Sequence, residues 1–259
     1  MQLKTSRIRS AEIMKEEKMM KIWMNIDPKS VDVSYLEKHF SDKCIFLAKA
    51  VAADDKKQIR DMAGCSDIII SGIEKWDAAT LFAARGRLKF LQKYGMGIDN
   101  IDLEAASEYG ILVANIRGAN SASVAEVAFM HILNVCRYFV PCVNGVKSGI
   151  WPSFTRGHEL DGKTVGLLGF GNIAQHLARM LGGFRVQILA YDPYLQTVPA
   201  ETKVEFVSTR EELFERSDIV SLHIPCTEET KGSINHTLFN RMRDGACLIN
   251  TCRGGVINT

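Results

Sequence analysis

Two groups of residues in this chain have the types and spacing to do chemistry. The first is Gly169-Phe170-Gly171-Asn172-Ile173-Ala174, set between an apolar run at residues 165–168 and a helical pattern over residues 172–181. Glycine at its first position permits a tight strand-to-helix turn, and at its third lets a pyrophosphate approach the backbone. A small sixth residue keeps helix against strand. The N–H groups of Asn172 and Ile173, at the positive end of the helix dipole, would then face the phosphates. Tyr191-Asp192 closes the next apolar run, twenty-one residues past Gly171. A carboxylate there accepts from both hydroxyls of an adenosine ribose and repels a 2′-phosphate, which favours NAD over NADP. The second group is Leu248-Ile249-Asn250-Thr251-Cys252-Arg253-Gly254-Gly255, which begins in the last apolar run. A guanidinium grips a carboxylate bidentately and polarises a carbonyl beside it. A 2-oxo acid presents those two groups side by side.

The elements that must position these residues read as strands alternating with helices. Short apolar runs occupy residues 21–26, 44–48, 67–70, 88–91 and 111–114, with helical segments such as 33–39 and 103–108 between them. A second series places strands at 165–168, 186–191, 204–206, 218–223 and 247–250, and helices at 172–181, 210–215 and 235–242. Joining the two is a long helical pattern over residues 121–138, in which Val124, Val127, Ala128, His131, Ile132 and Cys136 repeat at helical spacing. Ser123 and Glu126 are expected to help cap it. Residues 141–162, dotted with glycine, are expected to be an irregular connection. Alternation of this kind implies α/β architecture: two doubly wound parallel-sheet domains, with residues 1–19 as an extension ahead of the first strand.

Composition narrows the function classes. Hydrophobic residues are 46% and charged residues 24% of the 259, as in ordinary globular proteins. A formal net charge of +2 leaves no electrostatic footprint for nucleic acid or an anionic membrane. The seven cysteines are irregularly spaced with no C-x-x-C pair, so neither a disulfide framework nor a metal site is expected, and a reducing cytoplasm is the simplest setting.

In order along the chain, LKFLQKYGMGIDNID (88–102), GANSASVAE (118–126), ELDGKTVGLLGFGNIA (159–174), DIVSLHIPCTEET (218–230) and LINTCRGG (248–255) resemble the D-isomer-specific 2-hydroxyacid dehydrogenase family. The resemblance runs from about Met20 to the last residue. It implies a flavodoxin-like substrate domain over residues 20–117 and a Rossmann NAD-binding domain over 118–259, with the active site between them. Ser71, Gly72 and Gly97 match loops whose backbone N–H groups hold the substrate carboxylate. Gly169, Gly171, Asn172, Ile173 and Asp192 match cofactor contacts. Ile224, Pro225 and Thr230 match the adenosine side, Thr251, Cys252 and Arg253 the nicotinamide side, and Arg253 the catalytic arginine. A homodimer through the 121–138 helix is implied as well. The family carries a Glu and then a general-acid His beyond this arginine, and the last strands of the sheet. None of these lies within the 259 residues, so the expected form is incomplete, weakly active or inactive. The alternative is an NAD-sensing binding or regulatory module without turnover.

Other reactive residue types receive plainer readings. His223, at a strand end beside the cofactor residues, is expected to pack or to serve the cofactor side, not acid–base chemistry. Cys252 is expected to fill space. Asp99 and Asp102 look like turn and helix-cap residues.

Overall fold

The computed structural model describes residues 19–29, 32–151, 156–195 and 203–258. The expected extension at 1–19 lies, apart from Met19, outside them. The chain divides into two compact units, the first ending at Arg117 and the second beginning at Gly118.

In the first unit the apolar runs become β1 (Met20–Met24), β2 (Cys44–Ala48), β3 (Ile68–Ser71), β4 (Phe90–Lys93) and β5 (Leu112–Ala114). All pairings are parallel, in the order β2-β1-β3-β4-β5. Parallel neighbours need crossovers, and α1 (Ser34–Phe40), α2 (Lys56–Gly64), α3 (Ala78–Ala84) and α4 (Leu103–Glu108) lie in them. Three of these helices start at an aspartate whose carboxylate accepts a first-turn N–H: Asp55 from Gln58, Asp77 from Thr80, and Asp102 from Ala105. Trp23, Ile59, Ile69, Trp76, Leu81 and Leu91 form the centre of the core. This strand order is that of a flavodoxin-like sheet.

In the second unit β6 (Thr164–Leu168), β7 (Gln187–Tyr191), β8 (Val204–Phe206), β9 (Ile219–Leu222) and β10 (Cys247–Asn250) make another parallel sheet. Its order is β10-β9-β6-β7-β8, the Rossmann arrangement when counted from β6. Every residue of β6 and β9 is buried, as central strands covered on both faces require. The helix α5 (Ser121–Cys136) buries Ala125, Ala128, Ile132 and Cys136 in this core. Among the described residues no single helix is long and apolar enough to cross a membrane.

Two expectations need correction. The start of α5 follows Asn120, with no side-chain hydrogen bond closing it, so Ser123 sits inside the first turn instead of capping it. The expected irregular stretch contains a helix, α6 (Phe139–Lys147). Tyr138, left-handed at φ 50°, breaks the chain direction just before it. Pro141 falls in its first turn, where a missing N–H costs no helical hydrogen bond. The remaining helices are α7 (Asn172–Leu181), α8 (Arg210–Arg216) and α9 (His236–Phe239); the last is shorter than its sequence pattern suggests.

Candidate functional site

Strand register aligns the chemistry of the second unit. Tyr191, Leu168, Leu222 and Asn250 are paired in succession across β7, β6, β9 and β10. The residues that follow them are Asp192, Gly169, His223 and Thr251, which therefore leave the carboxyl edge of the sheet as one row. Ligands bind at this edge in doubly wound sheets.

Gly169 takes φ +88°, a left-handed conformation that glycine adopts without strain. A Cβ there would also lie 2.7 Å from the carbonyl oxygen of His223. Gly171 has the opposite surroundings: a Cβ would meet nothing within 4 Å. The space above its backbone is open for a ligand, and it precedes α7 without any side-chain cap. Ala174 is fully buried against the core, as close helix–strand packing requires.

Asp192 is wired into the glycine loop. One carboxylate oxygen accepts the Phe170 N–H at 2.8 Å and the other accepts the Tyr194 N–H at 2.9 Å. Each oxygen keeps a second lone pair for an incoming hydroxyl. A hollow of about 780 Å³ is lined by Gly169, Asp192, Ile224, Pro225 and Thr230 of the residues assigned from sequence, together with Tyr194, Glu229 and His223. Thr230 is fixed there, its hydroxyl donating to the Pro225 carbonyl at 2.5 Å. Gly171, Asn172, Ile173, Thr251, Cys252 and Arg253 lie outside that lining.

The arginine loop is held by Asn250, which sequence reasoning passed over. Its side-chain oxygen accepts the Cys252 N–H at 3.0 Å and its amide donates to the Arg253 carbonyl at 2.9 Å. The signal was available: Asn two residues before a turn residue makes a side-chain turn of this kind. Arg253 is exposed, and one of its guanidinium nitrogens donates to the Cys252 carbonyl at 2.9 Å. Burial pushes the Cys252 thiol pKa up, in keeping with a space-filling role.

Two buried polar atoms in the row have no hydrogen-bond partner among the described residues: His223 Nε2 and Thr251 Oγ1. Burial pushes the His223 pKa down to about 4, so its ring is neutral at pH 7. Orphaned polar atoms, an open glycine backbone and a hollow ending at a carboxylate fit a dinucleotide lying along this edge.

In the first unit, Ser71 and Gly72 follow one another at the end of β3. Ser71 is fully buried, its hydroxyl accepting the Trp76 indole N–H at 2.7 Å. The Gly72 N–H is donated to the Glu74 carboxylate at 3.0 Å. Gly97 lies in the loop after β4, where the neighbouring Met96 carbonyl accepts the Asn115 side-chain amide at 2.7 Å.

Residues 129–259 match the family described as D-isomer specific 2-hydroxyacid dehydrogenase, NAD binding domain. The hydroxypyruvate reductase of Thermotoga maritima is 41% identical over 181 residues, which are 70% of this chain and 58% of that protein. The D-3-phosphoglycerate dehydrogenase of Archaeoglobus fulgidus is 34% identical over 201 residues, 77% of this chain and 38% of that one. The chain thus spans less than two thirds of the length of either relative. Among solved structures, the apo form of D-lactate dehydrogenase from Escherichia coli superposes with a TM-score of 0.77 at 25% identity, covering 93% of this chain and 76% of that one.

Proposed function

The chain belongs to the D-isomer specific 2-hydroxyacid dehydrogenase family, and from that premise we propose that it works in hydride transfer between NAD and C2 of a small 2-hydroxy or 2-oxo acid. The observation that carries this reading is the row Asp192, Gly169, His223, Thr251, with Arg253 two residues past its end. NAD bound along this edge would accept or supply the hydride. Gly171, Asn172 and Ile173 offer backbone to its pyrophosphate, and Asp192 receives the ribose hydroxyls. Thr251 and Cys252 lead into Arg253, whose guanidinium grips the acid's carboxylate and polarises its carbonyl. In the first unit, Gly97 and its loop take the part of substrate contact. The relatives' names point to compact substrates, with hydroxypyruvate as the first to try.

Titration with NADH and NADPH tests the cofactor half without turnover. NADH should bind at least about tenfold more tightly, and Asp192→Ala should narrow that gap. Equal affinity for the two in the native chain would refute the reading of Asp192. For the substrate half, NADH oxidation by a chain extended through the family's Glu and general-acid His is followed with hydroxypyruvate and glyoxylate. Arg253→Ala should lower kcat/KM by about a hundredfold or more; an unchanged value removes the arginine from the mechanism. Saturable NADH binding with no oxidation of any small oxo acid would favour a nucleotide-sensing module instead.

We place the protein in the reducing cytoplasm as a homodimer. Val127, Met130 and Val135 on α5, with Tyr138, Phe139 and Val140 after it, are exposed apolar residues clustered along one stretch of chain. Exposed apolar side chains gathered on one stretch of chain support an interface there.

A further inference from the structure

Two oppositely charged side chains of the first unit are buried outside the chemistry described above. Glu74 is 1% exposed and Lys93 is 8% exposed. Both reach Gly72. The Glu74 carboxylate accepts the Gly72 N–H at 3.0 Å, and the Lys93 ammonium donates to the Gly72 carbonyl. Lys93 stands directly opposite Ser71 in the β3–β4 register, so its stem starts level with the turn it holds. The turn is also closed to volume: a Cβ on Gly72 would lie 3.1 Å from Glu74 Oε2 and 3.3 Å from the Asn25 carbonyl oxygen. The Glu74 backbone is tied in turn, its carbonyl accepting the Asn100 side-chain amide. A buried carboxylate is costly unless hydrogen-bonded and neutralised. Here it receives the backbone donor that the family resemblance assigns to a ligand.

We propose that the Ser71–Gly72 turn is an anion seat filled by the chain's own Glu74 carboxylate, with Lys93 clamping the other side of Gly72. Glu74 is then a positioning residue. Through Gly72 and Lys93 it sets the start of the loop carrying Tyr94 to Gly97, whose first N–H is donated to the Ser71 carbonyl at 2.8 Å. An external carboxylate does not share the Gly72 N–H, which leaves the 94–97 loop as the anion-receiving part of this unit. That last step rests on the function proposed above; the filled seat does not.

The test is truncation followed by replacement of the missing anion. Glu74→Ala removes the carboxylate and should lower Tm by about 5 °C or more. Formate, small enough to enter the vacated seat, should restore most of that loss, whereas chloride at equal ionic strength should not. Glu74→Gln keeps an acceptor oxygen and should lose less than the alanine variant. Formate acting no better than chloride would overturn the proposal. If Glu74→Ala does not fold, a cycle of Glu74→Gln, Lys93→Met and the double variant replaces it. The double should be more stable than the sum of the singles, because both side chains hold Gly72 and the second loss falls on a segment already released; strict additivity would overturn the clamp. None of these readings involves NAD or turnover, so failure of the dehydrogenase reading and failure of this one are distinguishable.

Discussion

His223 shows how much one residue's surroundings decide. From sequence it was a histidine at a strand end with no assigned chemistry. In the structure its carbonyl forbids a side chain on Gly169, its backbone N–H is donated to the Leu168 carbonyl at 2.8 Å, and its ring is held neutral by burial. The folded pKa, about 4, lies below the model-peptide value of 6.5. Between those values the unfolded chain binds the extra proton, so stability falls as pH drops from 6.5 towards 4. The slope from this one group is at most about 1.4 kcal/mol per pH unit. Thermal unfolding measured from pH 7 to pH 5 should show it, and His223→Gln should flatten it; an unchanged slope would mean that the ring is not shielded. The turn at Gly169 and Gly171 and the strand end at Asp192 were legible because they follow short local patterns. Asn250 carried a local turn signal that was passed over, whereas Glu74 was not legible, since it acts through a hydrogen bond that is defined only once a loop has closed. A lone acid in a loop belongs to no sequence pattern, and only the fold buries Glu74.

At the scale of elements, strands were legible wherever a short apolar run met a turn residue. The pattern placed Cys44–Ala48, Val204–Phe206 and Cys247–Asn250 on their observed bounds. The helix Leu103–Glu108 was equally clear, since Asp102 before it is a strong cap. Asp102→Ala should cost about 1 kcal/mol, read as a shift of the denaturant midpoint without a change of m-value. A midpoint unaltered by the substitution would show that Ala105's N–H finds another acceptor. The sequence pattern failed at Phe139–Lys147, where proline and glycine argue against helix. Proline in a first turn is no obstacle, and the position of that turn was set by the left-handed residue Tyr138, which no local pattern announces.

Taken whole, the molecule is two sheets of similar construction on one chain, with exposed apolar side chains concentrated after the first of them. That distribution carries the dimer proposal. Sedimentation should show a concentration-dependent dimer, and Met130→Glu combined with Phe139→Glu should shift it to monomer while leaving NADH affinity unchanged. A native chain that stays monomeric at the highest soluble concentration would remove the proposal. The pairing order of the strands has a consequence for how the protein is made. β2 and β3 both pair with β1, β4 with β3, and β5 with β4; then β7 and β9 pair with β6, β8 with β7, and β10 with β9. Each strand therefore docks on one that left the ribosome before it. Synthesis from the amino terminus can lay down both sheets outward from their first strands, each later strand meeting a partner that has already been made.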